Sequence, residues 1–178
     1  MNCNMNRRTI MVFPQFDNIN IIDGIREKYD PLANHVRPHI TLVFTFESNI
    51  TSSEIKEHVE KVLTGMKPFR LTMGDIIKID NTLGKYLFLS LNEGIDDIKK
   101  LSLKLYTGIL EQYKPEWLNE NTFLPHMTLG NFTSRNELNK AFKDVETIKE
   151  TFTTIVNKVS VEIIDENENS TIDIEVNL

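Results

Sequence analysis

A chain of 178 residues is long enough for one sizeable domain, or for two small lobes sharing a real core. Its 40% apolar and 26% charged content argues for an ordinary folded protein and against disorder or a membrane span. A net charge of −6 argues against sequence-independent binding of long duplex nucleic acid, which needs a basic footprint, but leaves room for a small phosphorylated ligand.

The lone cysteine, Cys3, cannot close an internal disulfide, so a cytoplasmic location is the expectation. Arg7-Arg8 is followed only by the short apolar run Ile10 to Phe13, too brief for a signal-peptide core. That run reads as the first strand, Arg7 to Pro14, followed by a helix over Asp17 to Tyr29 that ends before Pro31. His35 to Phe44 reads as a second strand. Thr51-Ser52-Ser53-Glu54 is a capping box opening a helix with the apolar stripe Ile55, Val59, Val62, Leu63 and Met66. Its one histidine, His58, falls on the polar side and is expected to be solvated.

Phe69, Leu71, Met73, Ile77 and Ile79 keep one parity, predicting a long half-buried strand. It turns at Asn81 to Gly84 into a second strand, Tyr86 to Leu91. A helix is predicted over Asp96 to Tyr113, then a loop carrying Trp117, then a strand over Phe123 to Phe132. Ser134-Arg135-Asn136-Glu137 is a second capping box, heading a stripe of Leu138, Ala141, Phe142, Val145 and Ile148. Phe152 to Ile164 reads as one strand, Asp165 to Ser170 as a solvated turn, and Thr171 to Leu178 as a final alternating strand.

Two segments share one pattern, Pro38-His39-Ile40-Thr41-Leu42 and Pro125-His126-Met127-Thr128-Leu129. In a strand, His39 and Thr41 point to one face and Ile40 and Leu42 to the other, with the same division in the second copy. One His-x-Thr means little, since it arises by chance and usually marks an ordinary strand residue. A second copy with the same proline before and leucine after, again followed by a capped helix, is specific. Each motif offers an imidazole and a hydroxyl on one side of a strand. The element order predicts an α+β fold of two pseudo-symmetric lobes, antiparallel sheets lining a central cleft and helices outside. It further predicts that residues 1–178 form a single bilobal domain with duplicated halves, the motif strands lying at about 35–44 and 123–132. Arg37, on the parity of His39 and Thr41, could reach a substrate phosphate if Pro38 leaves that parity intact. The same proline argues against a helical His35–His39 metal pair.

The paired motifs resemble the two-histidine phosphoesterases, which include cyclic phosphodiesterases and bacterial 2′-5′ RNA ligase-like proteins. The resemblance covers nearly the whole chain. It implies His39 and His126 as the acid–base pair, His39 donating and His126 accepting a proton, with Thr41 and Thr128 on phosphate oxygens and no metal or other cofactor. The implied partner is a small nucleotide or an RNA terminus, acted on at a 2′,3′-cyclic phosphate or 2′-5′ linkage by a monomer away from membranes. Histidine suits such a reaction because its neutral and protonated forms coexist near pH 7, while hydroxyls can steady charge on the non-bridging oxygens. The alternative is a module that holds a nucleotide or phosphorylated metabolite in the same cleft without turnover.

Overall fold

The computed structural model describes residues 5–178, so Cys3 lies outside the described residues. Eight strands form two four-stranded antiparallel sheets. The first sheet runs β2 (Ile40–Ser48), β1 (Asn6–Val12), β7 (Lys158–Ile164), β8 (Ser170–Asn177). The second runs β5 (His126–Asn131), β4 (Gly84–Glu93), β3 (Phe69–Asn81), β6 (Phe152–Val156). Each motif strand, β2 or β5, is therefore an edge strand, and these two edges meet at the junction of the sheets.

The helices cover the outer faces, in an exchanged arrangement. Helix α1 (Ile19–Tyr29) leaves β1 of the first sheet yet packs on β5 of the second. Helix α3 (Ile95–Leu105) leaves β4 of the second sheet yet packs on β2 of the first. Helix α2 (Ser52–Leu63) lies on β8, and α4 (Arg135–Val145) on β3 and β4. The core is the apolar stripe of each helix against the inward parity of each strand. Ile55 and Val59, Ile98 and Leu101, and Leu138 and Ala141 are all sealed from solvent with Ile10, Ile40, Leu87, Leu89 and Met127. Both predicted capping boxes form, Thr51 with Glu54 and Ser134 with Glu137, each side chain meeting the other residue's backbone N–H.

Several expectations differ, each for a local physical reason, and the strand expected from Phe123 to Phe132 spans only His126–Asn131, beginning just after Pro125. The helix expected to run to Tyr113 stops at Leu105, because Gly108 takes φ +53° and a separate 3-10 turn covers Gly108–Tyr113. Phe152 to Ile164 is two strands in different sheets, divided at Asn157. The buried parity switches there, from Phe152 and Val156 to Val159 and Val161. In β3 a bulge at Asp75, with φ +58°, turns Ile77 and Ile79 away from the face of Leu71 and Met73. The second strand starts at Ile40 and not at His35, since residues 30–36 form successive turns tied by Ala33 N–H to Asp30 O and His35 N–H to Leu32 O. His58 is not simply solvated either, as its Nε2 lies 3.0 Å from the Leu105 carbonyl at the end of α3.

Candidate active site

Both motifs begin in the same way. The Nδ1–H of His39 donates to the Arg37 carbonyl at 2.7 Å, and that of His126 to the Leu124 carbonyl at 2.8 Å. In each case the acceptor is the carbonyl just before the motif proline, so the ring folds back over the Pro turn. This bond fixes the tautomer and leaves Nε2, unpartnered among the described residues, as the reactive nitrogen of each ring. Phe13 packs edge-on against His39, with ring centroids 6.2 Å apart, while Phe88 stacks flat on His126 at 3.6 Å.

A matched irregularity follows each motif. Met11 faces Thr41 but Ile10 faces Val43, and Phe88 faces Thr128 but Leu87 faces Gly130, so Leu42 and Leu129 are each the extra residue of a β-bulge. The bulge sends two consecutive residues inward, Leu42-Val43 in one sheet and Leu129-Gly130 in the other, leaving the threonine before them on the open face. The carbonyl of Leu42 is satisfied at 2.6 Å by the buried Ser102 hydroxyl from α3. In the second copy Gly130 is required, since a Cβ there would sit 2.8 Å from the Phe132 ring and 3.0 Å from Tyr29 Cβ. The hydroxyls of Thr41 and Thr128 have no protein partner among the described residues, so both can meet a ligand.

The second sheet presents Ile77, Ile79, Tyr86, Phe88, Ser90, His126 and Thr128 on its open face, with Tyr86, Phe88 and His126 in a continuous ring stack. In the first sheet a depression of about 160 Å³ is lined by His39 and Thr41 together with Thr9, Met11, Val36, Phe44 and Ser170. Burial drives the His39 ring well below its ordinary value, to about 4. The charges of Arg26 and His126 act in the same direction, against the opposing Arg37 hydrogen bond and Asp30. Burial likewise lowers His126, against its bond to Leu124. Both rings are thus neutral in the unliganded protein near pH 7, and arrival of an anion would favour the imidazolium.

Sequence reasoning missed the residues that hold the first motif in place. Arg26 of α1 is buried, pairs with Asp30 at 2.8 Å, and donates to the carbonyls of Val36 and Leu32, fastening the turns that lead to His39. The Arg26-x-x-x-Asp30 spacing before Pro31 was its only signal. Arg37 stands in those turns and not on the strand. Its guanidinium lies 4.2 Å over the Phe13 ring and faces a second, larger pocket beside His39. Among the described residues, no group of three or more His, Cys, Asp or Glu side chains is arranged to hold a metal ion.

The sequence pattern of the 2′-5′ RNA ligase superfamily matches residues 13–168, both motifs included. The chain belongs to that superfamily. A protein of Bacillus licheniformis, provisionally named a phosphoesterase, is 29% identical over 132 residues, which is 72% of each chain. A similarly named Oceanobacillus iheyensis protein is 25% identical over 129 residues, again 72% of each. Membership of that superfamily places the chain among the two-histidine phosphoesterases. The fold matches that of Escherichia coli LigT, solved with 3′-AMP, with a TM-score of 0.64 at 15% identity over 98% of this chain and 99% of that one. It also matches TT0787 of Thermus thermophilus, with a TM-score of 0.62 at 15% identity over 97% of both chains. No helix among the described residues is long and apolar enough to cross a membrane.

Proposed function

We propose that this protein opens 2′,3′-cyclic phosphates or 2′-5′ phosphodiester linkages of small nucleotides or RNA ends, by general acid–base catalysis between His39 and His126 without a metal. The observation that carries this reading is that the two motif strands come together at the sheet junction, with both rings locked through Nδ1 and both Nε2 atoms unpartnered among the described residues. Neutral His126 accepts a proton through Nε2 from the attacking water as the new P–O bond forms. Protonated His39 delivers its Nε2 proton to the ribose oxygen as the old P–O bond breaks. Thr41 and Thr128 donate hydroxyl hydrogen bonds to the non-bridging oxygens, where negative charge accumulates. His39 is loaded for this role when the anionic phosphate enters and offsets the burial that keeps the free ring neutral.

The test is turnover of a panel of 2′,3′-cyclic nucleotides and 2′-5′-linked dinucleotides in EDTA, for the native chain, His39→Ala and His126→Ala. Each variant is expected to lose roughly 10²–10⁴ in kcat. Native turnover abolished by EDTA, or a variant retaining full rate, would overturn the mechanism.

A further inference from the structure

Beside His39 lies a pocket of about 590 Å³, within the usual range for small-molecule sites. Phe13, Arg37 and Pro38 form one wall, the 33–36 turns and Asp23 another, and Glu162, Ser170, Thr171 and Ile172 the floor. It shares Val36 and Ser170 with the depression that holds His39 and Thr41, so the two hollows adjoin.

Its floor holds an unsolved polar group. Glu162 is 2% exposed, and its Oε2 has no hydrogen-bond partner among the described residues. The Ser170 hydroxyl next to it is likewise buried and unpartnered. Burial pushes the Glu162 carboxyl up to about 7, partly offset by the nearby Arg37 charge, and the group makes no ion pair among the described residues. A buried carboxylate left in this condition is costly, and native folds retain such groups where something else satisfies them.

The geometry points to a nucleobase subsite for guanine, a reading that rests on the proposed function above. Donors brought against both oxygens draw the proton off this carboxyl, and the resulting carboxylate only accepts hydrogen bonds, so its complement is an edge carrying adjacent donors. Guanine alone among the common bases presents two, N1–H beside the N2 amino group. Adenine and cytosine pair one donor with an acceptor, and uracil flanks its N–H with two carbonyls. The Phe13 ring with Arg37 across it supplies a flat apolar and cationic wall for the base. Phe13 touches His39 as well, so a base here leaves its ribose phosphate directed to the Thr41 side. Glu162 and Ser170 are then the residues that read the base, and the Arg37 guanidinium, backed by Phe13, the surface on which it rests.

The experiment compares 3′-GMP with 3′-UMP by calorimetric titration, and kcat/KM for the two 2′,3′-cyclic nucleotides, in the native chain and in Glu162→Gln. Affinity for 3′-GMP is expected to exceed that for 3′-UMP by about 10–100-fold, as a bidentate base contact confers. The ratio should collapse toward unity in Glu162→Gln. Equal binding of the two nucleotides by the native protein overturns the subsite without any variant, as does a guanine preference that survives Glu162→Gln. If cyclic nucleotides turn over without base preference, the subsite fails and the enzyme reading stands. If 3′-GMP is preferred through Glu162 while no cyclic nucleotide is opened, the enzyme reading fails and the subsite stands.

Discussion

The neutrality of His39 has a consequence for stability that does not depend on any substrate. Its ring is held at about 4 in the fold against an ordinary 6.5 in the unfolded chain. As pH falls through 6.5, the unfolded chain takes up a proton that the fold refuses. Stability is therefore lost between 6.5 and 4, at up to about 1.4 kcal/mol per pH unit, and levels off below. At pH 5 the loss from this one group is at most about 2 kcal/mol, since the ring is only half-buried and solvent screens part of the effect, equivalent to at most roughly 4–8 °C in Tm for a chain of this size. His39→Gln removes the titrating group while keeping a polar side chain of similar reach. Urea denaturation of both proteins from pH 7.5 to 5 isolates the effect, because all distant titrations cancel in the difference. The native chain should lose more than the variant by pH 5, by up to about 2 kcal/mol, with the gap closing above pH 7. Parallel curves across that range would refute a half-buried His39 held neutral by the fold.

The same depressed rings set the kinetics: kcat/KM, which reports the free enzyme, should peak on the acid side of 6.5, with the kcat profile displaced to higher pH by the bound anion. A kcat/KM that climbs through pH 8 would contradict this. Phe88→Ala removes the ring stacked on His126, so His126 should titrate closer to 6.5 by NMR and kcat should fall by about 10–10² as the imidazole loses its fixed orientation. No movement in either quantity would show that the stack is incidental. Ser102→Ala strands the Leu42 carbonyl in the core and should cost about 1–3 kcal/mol in chemical denaturation, whereas a cost near zero would mean another donor replaces it.

Much of this molecule could be read from its residues because local chemistry and tertiary demand agree. The capping boxes at Thr51 and Ser134, the stripes of α2 and α4, and the alternation of β8 all name one conformation, and the paired Pro-His-x-Thr-Leu segments located the site. The errors fall where one residue resets a period. Asp75 at positive φ reverses the faces of β3, Asn157 hands the chain from one sheet to the other, and Gly108 stops a helix whose apolar spacing continues through it. Parity counted across such points assigns the right residues to the wrong side. Glu162 was illegible for another reason: in the sequence it sits in an apolar run beside charged neighbours, and only the sheet register brings it under the turns that precede His39.

The exchange of α1 and α3 between the sheets bears on how the cleft can move. If each sheet carried its own following helix, the halves could part like separate bodies on a tether, and the distance between the two imidazoles would vary with that motion. Here, pulling the sheets apart drags α1 off β5 and α3 off β2, exposing Ile22, Ile25, Ile98 and Leu101 to water. Opening is thus coupled to loss of the core, and the spacing of His39 and His126 is set by the same contacts that keep the chain folded. Chemistry and global stability are thereby tied to one set of helix–sheet contacts.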